Sequence, residues 1–369
     1  MQAFWVGFLC VLMAANLAAQ PRAAKKAGAV AKAGATPQFK AIWEPVPFPK
    51  DLDLFAIACV GAESCYAVGA KGTVIFTSDG GKTWQVQLGG DPESNDDKFT
   101  RVHFLDAKNG WVMSDRGKIL GTRDGSTWAE LSTMSGTTKG VWFATPQVGY
   151  ELENPSSTSQ STLQRTLDGG KTWAPLHKCT VETMVNGLAR RLDCMLRTIQ
   201  ILGPNAMVAG GSAATSMGTS VATFAKSGDG GQTWKTTVIP ETKYGITDVE
   251  FWTEADGIVV LSGGEEMYWT ADGGETWTRS VKQRIWPSHA AVGGAGKIVV
   301  DVRDRGINYS FNGGRNFSSR ALSLPANVED VTFPDAQHGY WVGQHGMVYR
   351  YRIVPYAYSS QGMIGAMAP

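Results

Sequence analysis

The sequence predicts an all-β fold, a seven-bladed β-propeller of four-stranded blades, and three observations carry this prediction. A short motif, FTSDGGKTW at Phe76–Trp84, returns along the chain at spacings of 40 to 61 residues, which is the period of a repeat architecture. The intervals between the copies contain short strand-forming segments bounded by glycine or aspartate. No long segment has helical periodicity. Four such strands per repeat is the pattern of a propeller blade.

The repeated motif has the chemistry of a tight turn. Two consecutive glycines permit positive φ, and the carboxylate before them can accept backbone N–H groups inside the turn. The tryptophan that follows supplies a large apolar surface that pins the hairpin to the sheet. A catalytic acid is not needed six times around one molecule, so we interpret these positions as structural. The motif positions are Asp79 and Trp84, Asp124 and Trp128, Asp168 and Trp173, Asp229 and Trp234, Asp272 and Trp277, and Asn312 and Phe317.

The body of the chain, residues 39–354, divides into seven units. The first six are Leu54–Leu88, Phe99–Leu131, Thr137–Leu176, Met195–Ile239, Gly245–Ser280 and Pro287–Leu322. The seventh, Asn327–Val354, contains three strands and lacks the motif. Because an incomplete last blade would leave exposed strand edges, we expect Phe39–Phe48 to pair with Val348–Ile353 and close the ring.

Three insertions interrupt the regular spacing, at Glu151–Gln164, Lys178–Asp193 and Gly210–Val221. The first is polar and rich in proline and serine, which predicts a protruding loop. Loops on a rigid scaffold are common sites of specificity.

Both termini differ in composition from the body. Residues 1–19 resemble a secretory signal peptide, because Ala3–Ala19 is apolar apart from Asn16 and ends in small residues. The first positive charges follow the apolar run instead of preceding it, which leaves an uncleaved anchor as the alternative. Residues 20–38 and 355–369 are predicted to be a disordered linker and tail. We therefore expect an exported protein, periplasmic or secreted.

The body contains four cysteines, Cys59, Cys65, Cys179 and Cys194. The first two flank a short turn, and the last two open and close one insertion. An even count in an exported chain favours two local disulfides over metal ligation or free thiols.

Composition and motifs exclude several classes of function. With 34 basic and 33 acidic residues, the chain lacks the charge excess of a nucleic-acid-binding protein. The five histidines have no metal-ligand spacing, and no nucleophile elbow, Walker loop or dinucleotide-binding glycine motif is present. We expect no metal, no cofactor and no enzymatic activity.

The alternative function is that of a carbohydrate-binding or glycoside-hydrolase propeller, since sialidases share this turn. The Arg-Ile-Pro motif of sialidases is not matched in this sequence.

The longer repeat unit resembles the photosystem II assembly/stability-factor propellers. Phe104–Trp128 reads FLDAKNGWVMSDRGKILGTRDGSTW, and Phe333–Tyr349 and Tyr66–Trp84 repeat parts of the same pattern. The resemblance covers residues 39–354 and implies a seven-bladed propeller that binds protein without catalysis. In that family a lumenal or periplasmic factor holds a newly inserted reaction-centre subunit, so the resemblance implies a membrane-protein partner. In a photosynthetic host the compartment would be the thylakoid lumen.

The family's binding face is rich in arginine, which directs attention to arginines on or beside strands. Arg101, Arg303 and Arg305 are the candidate partner-binding residues, with solvated rim charges as the alternative interpretation. We expect a monomer that presents these side chains on one face of a rigid disc.

Overall fold

Seven antiparallel sheets make up the structure, a computed structural model that describes residues 39–355 except 47, 92–96, 135–137, 156–159, 186, 217–218, 263–265, 281–288, 297 and 304–305. The predicted signal peptide or anchor, the linker and all of the predicted tail after residue 355 lie outside the described residues. Within the described ranges no helix has the length and apolar character needed to cross a membrane.

Each sheet is one blade, and its strands are given in their order across the sheet. The first blade contains β2 (Leu54–Cys59), β3 (Cys65–Gly69), β4 (Thr73–Thr77) and β5 (Gln85–Leu88). The second contains β6 (Phe99–Phe104), β7 (Gly110–Ser114), β8 (Lys118–Thr122) and β9 (Ala129–Thr133). The third contains β10 (Thr138–Phe143), β11 (Gly149–Glu153), β12 (Thr162–Thr166) and β13 (Ala174–Lys178).

The fourth blade has one more strand than the others. It contains β14 (Thr180–Val185), β15 (Leu188–Ile201), β16 (Met207–Ser216), β17 (Thr219–Ser227) and β18 (Lys235–Val238). The fifth contains β19 (Ile246–Phe251), β20 (Gly257–Leu261), β21 (Met267–Thr270) and β22 (Thr278–Arg279). The sixth contains β23 (His289–Gly293), β24 (Ile298–Arg303), β25 (Gly306–Ser310) and β26 (Ser318–Ala321).

The seventh blade joins the two ends of the body. It contains β27 (Val328–Thr332), β28 (His338–Gly343), β29 (Val348–Pro355) and, at its outer edge, β1 (Phe39–Pro45). A 3₁₀ turn, Gln344–Gly346, separates β28 from β29. The predicted ring of seven blades, closed by the N-terminal strand, is confirmed. The last strand runs one residue beyond the predicted boundary, because Pro355 pairs with Phe39.

The closing strand is fixed by stacking and by charge as well as by its ladder. The ring of Trp43 stacks on that of Trp341 with centroids 3.9 Å apart, and both side chains are buried. Glu44 accepts hydrogen bonds from Arg350 and forms an ion pair with Arg352 at 3.1 Å. These contacts bind the first strand of the body to its last.

The hydrophobic core of the described residues is divided among the contacts between neighbouring blades. Its buried side chains form seven clusters, and each cluster is shared by two adjacent blades. An aromatic residue early in the second strand of a blade also donates a hydrogen bond to the next blade. Tyr66 donates to the carbonyl of Gly125 at 3.0 Å, and Tyr150 donates to that of Gly230 at 3.0 Å. At these two positions the aromatic residue of the second strand therefore links one blade to the next.

The repeated turns share one hydrogen-bond network. In the first copy, Asp79 Oδ1 accepts the backbone N–H of Thr83 at 2.9 Å, and Oδ2 accepts the Thr83 hydroxyl at 2.7 Å. The hydroxyl of Thr77 donates to Asp79 Oδ1 and accepts the backbone N–H of Gly81. These hydrogen bonds, led by those from Thr83, lower the pKa of Asp79 to about 2. A serine or threonine two residues before the Asp or Asn plays the same part in the other copies, at Thr122, Thr166, Ser227, Thr270 and Ser310.

Asp79→Ala is expected to lower the melting temperature by a few degrees, whereas Asp79→Asn is expected to lose less. The asparagine can still accept the Thr83 N–H, as Asn312 Oδ1 accepts that of Asn316 in the sixth turn. Because the native carboxyl has a depressed pKa, its contribution is present above about pH 4 and is lost as the pH falls toward 2. Thermal denaturation of both variants at pH 7 and pH 3 measures this. Equal melting temperatures for the alanine and asparagine variants would contradict it.

Two of the three predicted insertions form strands. Lys178–Asp193 contains β14 and the start of β15, which pair as a hairpin, and Gly210–Val221 extends the β16–β17 hairpin. The first insertion is shorter than predicted as a loop, because Glu153 and Thr162 at its ends already pair as strand residues. Both expected disulfides are present, Cys59–Cys65 and Cys179–Cys194.

Candidate functional site in the central channel

The innermost strands of the seven blades surround a cavity of about 610 Å³ on the axis of the disc. β2, β6, β10, β15, β19, β23 and β27 all contribute to its wall. Its polar lining includes side chains of both signs and several threonines. A channel of this size is large enough to receive side chains or a chain segment of a ligand.

Bulges interrupt the pairing of most inner strands with the second strand of the blade. The pairing register shifts around Phe55, Thr100, Arg197, Thr247 and Glu329, at corresponding positions of five blades. An extra residue in one strand re-aims side chains, and all five of these residues line the channel. A further shift lies between Thr138 and Val141 in the third blade.

Four polar side chains of the channel wall connect neighbouring blades. Asp248 Oδ2 accepts the backbone N–H of Ala290 at 3.0 Å, and Asp330 Oδ2 accepts that of Ile57 at 2.9 Å. Two positions further along the equivalent strands, Gln200 bonds to both backbone groups of Phe251, and His103 Nε2 lies 3.0 Å from the carbonyl oxygen of Phe143. Burial lowers the pKa of His103.

The carboxylates of the channel are concentrated in the fifth and seventh blades. Burial first, and then the negative charges of Asp248 and Asp330, hold the pKa of Glu250 well above its ordinary range. Gln200 Nε2 lies 3.4 Å from Glu250 Oε2, and Gln344 donates to Glu329 at 3.2 Å. The carboxylates of the channel wall therefore already have hydrogen-bond partners within the protein.

The cations of the channel lie in the second and fourth blades. Arg101 and Arg197 both line the cavity and both are exposed. Nη1 of Arg101 donates to the carbonyl of the adjacent Thr100 at 2.9 Å. Neither guanidinium forms an ion pair with a carboxylate in the described part of the chain. Both can therefore receive an anionic group from outside.

Of the three arginines predicted from the sequence to bind a partner, the structure describes the side chain of one. Arg101 lies in the channel wall. Arg303 ends β24, but its side chain lies outside the described residues, and so does the whole of Arg305. Arg197 was missed, because the 61-residue spacing of its repeat hid its alignment with the inner strands. Among the described residues, no cluster of three or more histidine, cysteine, aspartate or glutamate side chains could hold a metal ion.

The fold and the channel define a closed seven-bladed β-propeller with a polar axial cavity. Residues 36–194 match the family described as "Photosynthesis system II assembly factor YCF48". The match confirms, over residues 36–194, the resemblance that the repeat unit indicates. No curated protein matches the sequence.

Solved structures with the same architecture include two from this family. "YCF48 bound to D1 peptide" has 20% identity and a TM-score of 0.59, with 84% of this chain and 96% of that chain covered. "YCF48 from Cyanidioschyzon merolae" has 18% identity and a TM-score of 0.56, with 84% and 98% covered. The WD40 β-propeller domain of Doa1 has 11% identity and a TM-score of 0.59, with 86% and 97% covered. At these identities the similarity establishes the fold alone.

Proposed function

We propose that this protein is an exported, non-catalytic propeller that holds a segment of a membrane-protein subunit at the mouth of its central channel. The observation that carries the proposal is the pair Arg101 and Arg197, two exposed guanidinium groups in the wall of the cavity. The carboxylates of the channel wall are engaged by backbone and amide groups, so the arginines are the charges left for a ligand. A guanidinium recognises carboxylates by paired hydrogen bonds.

The family match supports a protein as the ligand. YCF48, a propeller of the same family, has been solved bound to a D1 peptide, and this suggests the class of partner for the present chain. The two disulfides support export, because disulfides persist in oxidising compartments.

Charge reversal in the channel is expected to weaken binding of a D1 peptide by at least about tenfold, the size of a lost charge-assisted contact. The test is fluorescence anisotropy of a labelled D1 peptide with Arg101→Glu and Arg197→Glu, singly and together. Arg116→Glu is the matched control, because Arg116 is exposed in the β7–β8 turn and does not line the cavity. Unchanged affinity in the double variant would remove the channel from the proposal.

The presence of a D1 gene in the host is the first observation to make, since without it the photosystem partner is excluded.

A carbohydrate-active propeller is the second candidate function, and Glu250 is the observation that favours it. A carboxyl with a raised pKa beside other carboxylates is the arrangement of a glycosidase acid. Asp248 and Asp330 each bind a backbone N–H, which reduces their availability for this chemistry. A glycan array and a hydrolysis screen distinguish the two candidates. Turnover that Glu250→Gln abolishes would favour the hydrolase.

A further inference from the structure

The hairpin of β14 and the first half of β15 is a projection from the fourth blade. Its two strands pair from Thr180 with Asp193 to Val185 with Leu188. The Cys179–Cys194 disulfide joins them at the base, with Cα atoms 5.2 Å apart. A Cβ added at Gly187, near the tip, would meet no atom within 4 Å. The hairpin is therefore cross-linked by a disulfide at its base, and Gly187 near its tip faces open space.

The tip is apolar on both faces. Residues paired across a hairpin share a face, and neighbours along a strand alternate between faces. Val185 and Leu188 thus lie on one face, and Met184 and Ala189 lie on the other. The side chains of Met184 and Leu188 are 64% and 57% exposed. A protein groove would cover one face of such a hairpin, whereas a fluid hydrocarbon layer can cover both.

A pair of arginines follows directly below the tip. Arg190 lies on the face of Leu188, and Arg191 lies on the face of Met184. Both are exposed, and Arg191 donates to the hydroxyl of Thr180 at 3.1 Å. The nearby acidic residues are Glu182, opposite Arg191, and Asp193 at the base, which accepts from Gln160. Arg190 is therefore the charged residue nearest to the apolar tip. The acidic residues Glu182 and Asp193 lie level with Arg191 or closer to the base.

We propose that this hairpin inserts into the surface of an anionic lipid membrane. Its tip, residues 184–189 apart from Asn186, would enter the boundary between headgroups and acyl chains, and Arg190 and Arg191 would contact lipid phosphates. The tip extends roughly 7 Å past the arginine level, since a strand rises about 3.3 Å per residue. That length matches the depth of about 5–10 Å at which interfacial elements bury their apolar face. The ladder of the hairpin satisfies most of its backbone groups, as insertion requires.

The insertion is separate from peptide binding in the channel and is tested without a peptide. Full-length protein is floated with vesicles of equimolar phosphatidylcholine and phosphatidylglycerol, or of phosphatidylcholine alone. Met184→Ser with Leu188→Ser should weaken binding to the anionic vesicles by about tenfold. Arg190→Gln with Arg191→Gln should weaken it by roughly thirtyfold, at about 1 kcal/mol per basic residue near an anionic surface, and should not affect the neutral vesicles.

Leu167→Ser is the matched control, because Leu167 is 63% exposed and lies outside the hairpin. Residues 1–38 are common to all variants, so any lipid affinity of that segment is the same in each. Hydrogen exchange gives a local readout, in which anionic vesicles should protect the amides of the hairpin tip and leave those around Leu167 unchanged. Absence of this protection would overturn the proposal, even if the whole chain floats. Loss of binding to a detergent-solubilised membrane protein, with vesicle binding unchanged, would overturn it in favour of a protein interface.

Discussion

Replacing Glu151 with glutamine is expected to remove a pH dependence of stability of about 3 kcal/mol between pH 4 and pH 8. Glu151 lies on β11, is fully buried, and has no hydrogen-bond partner for either carboxylate oxygen among the described residues. Burial raises its pKa to about 7; the nearby hydroxyl of Thr138 opposes this shift, and the charge of Glu153 adds a smaller effect in the same direction as burial. Each pKa unit corresponds to about 1.4 kcal/mol of free energy.

The sign follows from proton binding. With a pKa of 4.5 when unfolded and about 7 when folded, the native state binds more protons between these values. The contribution of Glu151 is therefore fully present below about pH 4.5, and it is lost as the pH rises through 7. Glu151→Gln and Glu151→Met should both gain stability relative to the wild type as the pH rises.

Denaturant unfolding from pH 4.5 to pH 8.5 measures this difference directly. Glu151→Asp is the control, because it keeps a titratable carboxyl at the same site and should keep a pH dependence of the same sign. A constant difference between Glu151→Gln and the wild type across this range would show that the carboxyl does not titrate with a raised pKa.

Deleting residues 39–48 is expected to lower the melting temperature by many degrees, because it removes the outer strand of the closing blade. Trp43→Ala alone should cost about 3–5 kcal/mol, the usual loss for truncating a buried tryptophan. Removing Glu44 as well leaves Arg350 without its carboxylate partner. The measurement is thermal and denaturant unfolding of the purified variants.

A deletion of equal length in the linker, residues 21–30, is the control for chain shortening. A synthetic peptide of residues 39–48 should partly restore the melting temperature of the truncated protein, since an added strand can pair with the exposed edge of β29. Unchanged stability of the truncated protein would contradict the role of the N-terminal strand in closure.

The architecture was predictable because the repeated motif marks each blade at the level of local chemistry. Its absence after Asn327 indicated where the ring closes, and the strand pairing of Phe39–Pro45 confirms this. The hydroxyl two residues before each Asp or Asn was also visible in the sequence, from Thr77 to Ser310, but its part in the turn became clear only from the hydrogen bonds.

The hairpin of the fourth blade had a local signal that was not used. Asn186-Gly187 stands between segments with alternating apolar residues, which is a strong hairpin pattern. The segment was instead identified only as an insertion, from the long spacing between repeats. Its pairing, and hence the shared face of Leu188 and Arg190, follows from that turn.

The channel was less predictable, because its lining depends on contacts between blades and on bulges. Sequence alternation does not reveal that the register shift at Arg197 aims this side chain at the axis, or that Asp330 reaches the backbone of Ile57. The burial of Glu151 likewise depends on packing around β11, since glutamate in a strand is ordinarily placed on the exposed face.

The pairing of β1 with β29 also sets the order in which the molecule can be completed. Synthesis begins at the N-terminus, so Phe39–Pro45 exists long before its partner, Val348–Pro355. Until the seventh blade emerges, Trp43 has no Trp341 to stack on, and the six preceding blades form an open arc with an uncovered edge at each end. Ring closure is therefore a late event, and a chain that ends before residue 348 keeps an uncovered edge that is prone to aggregation.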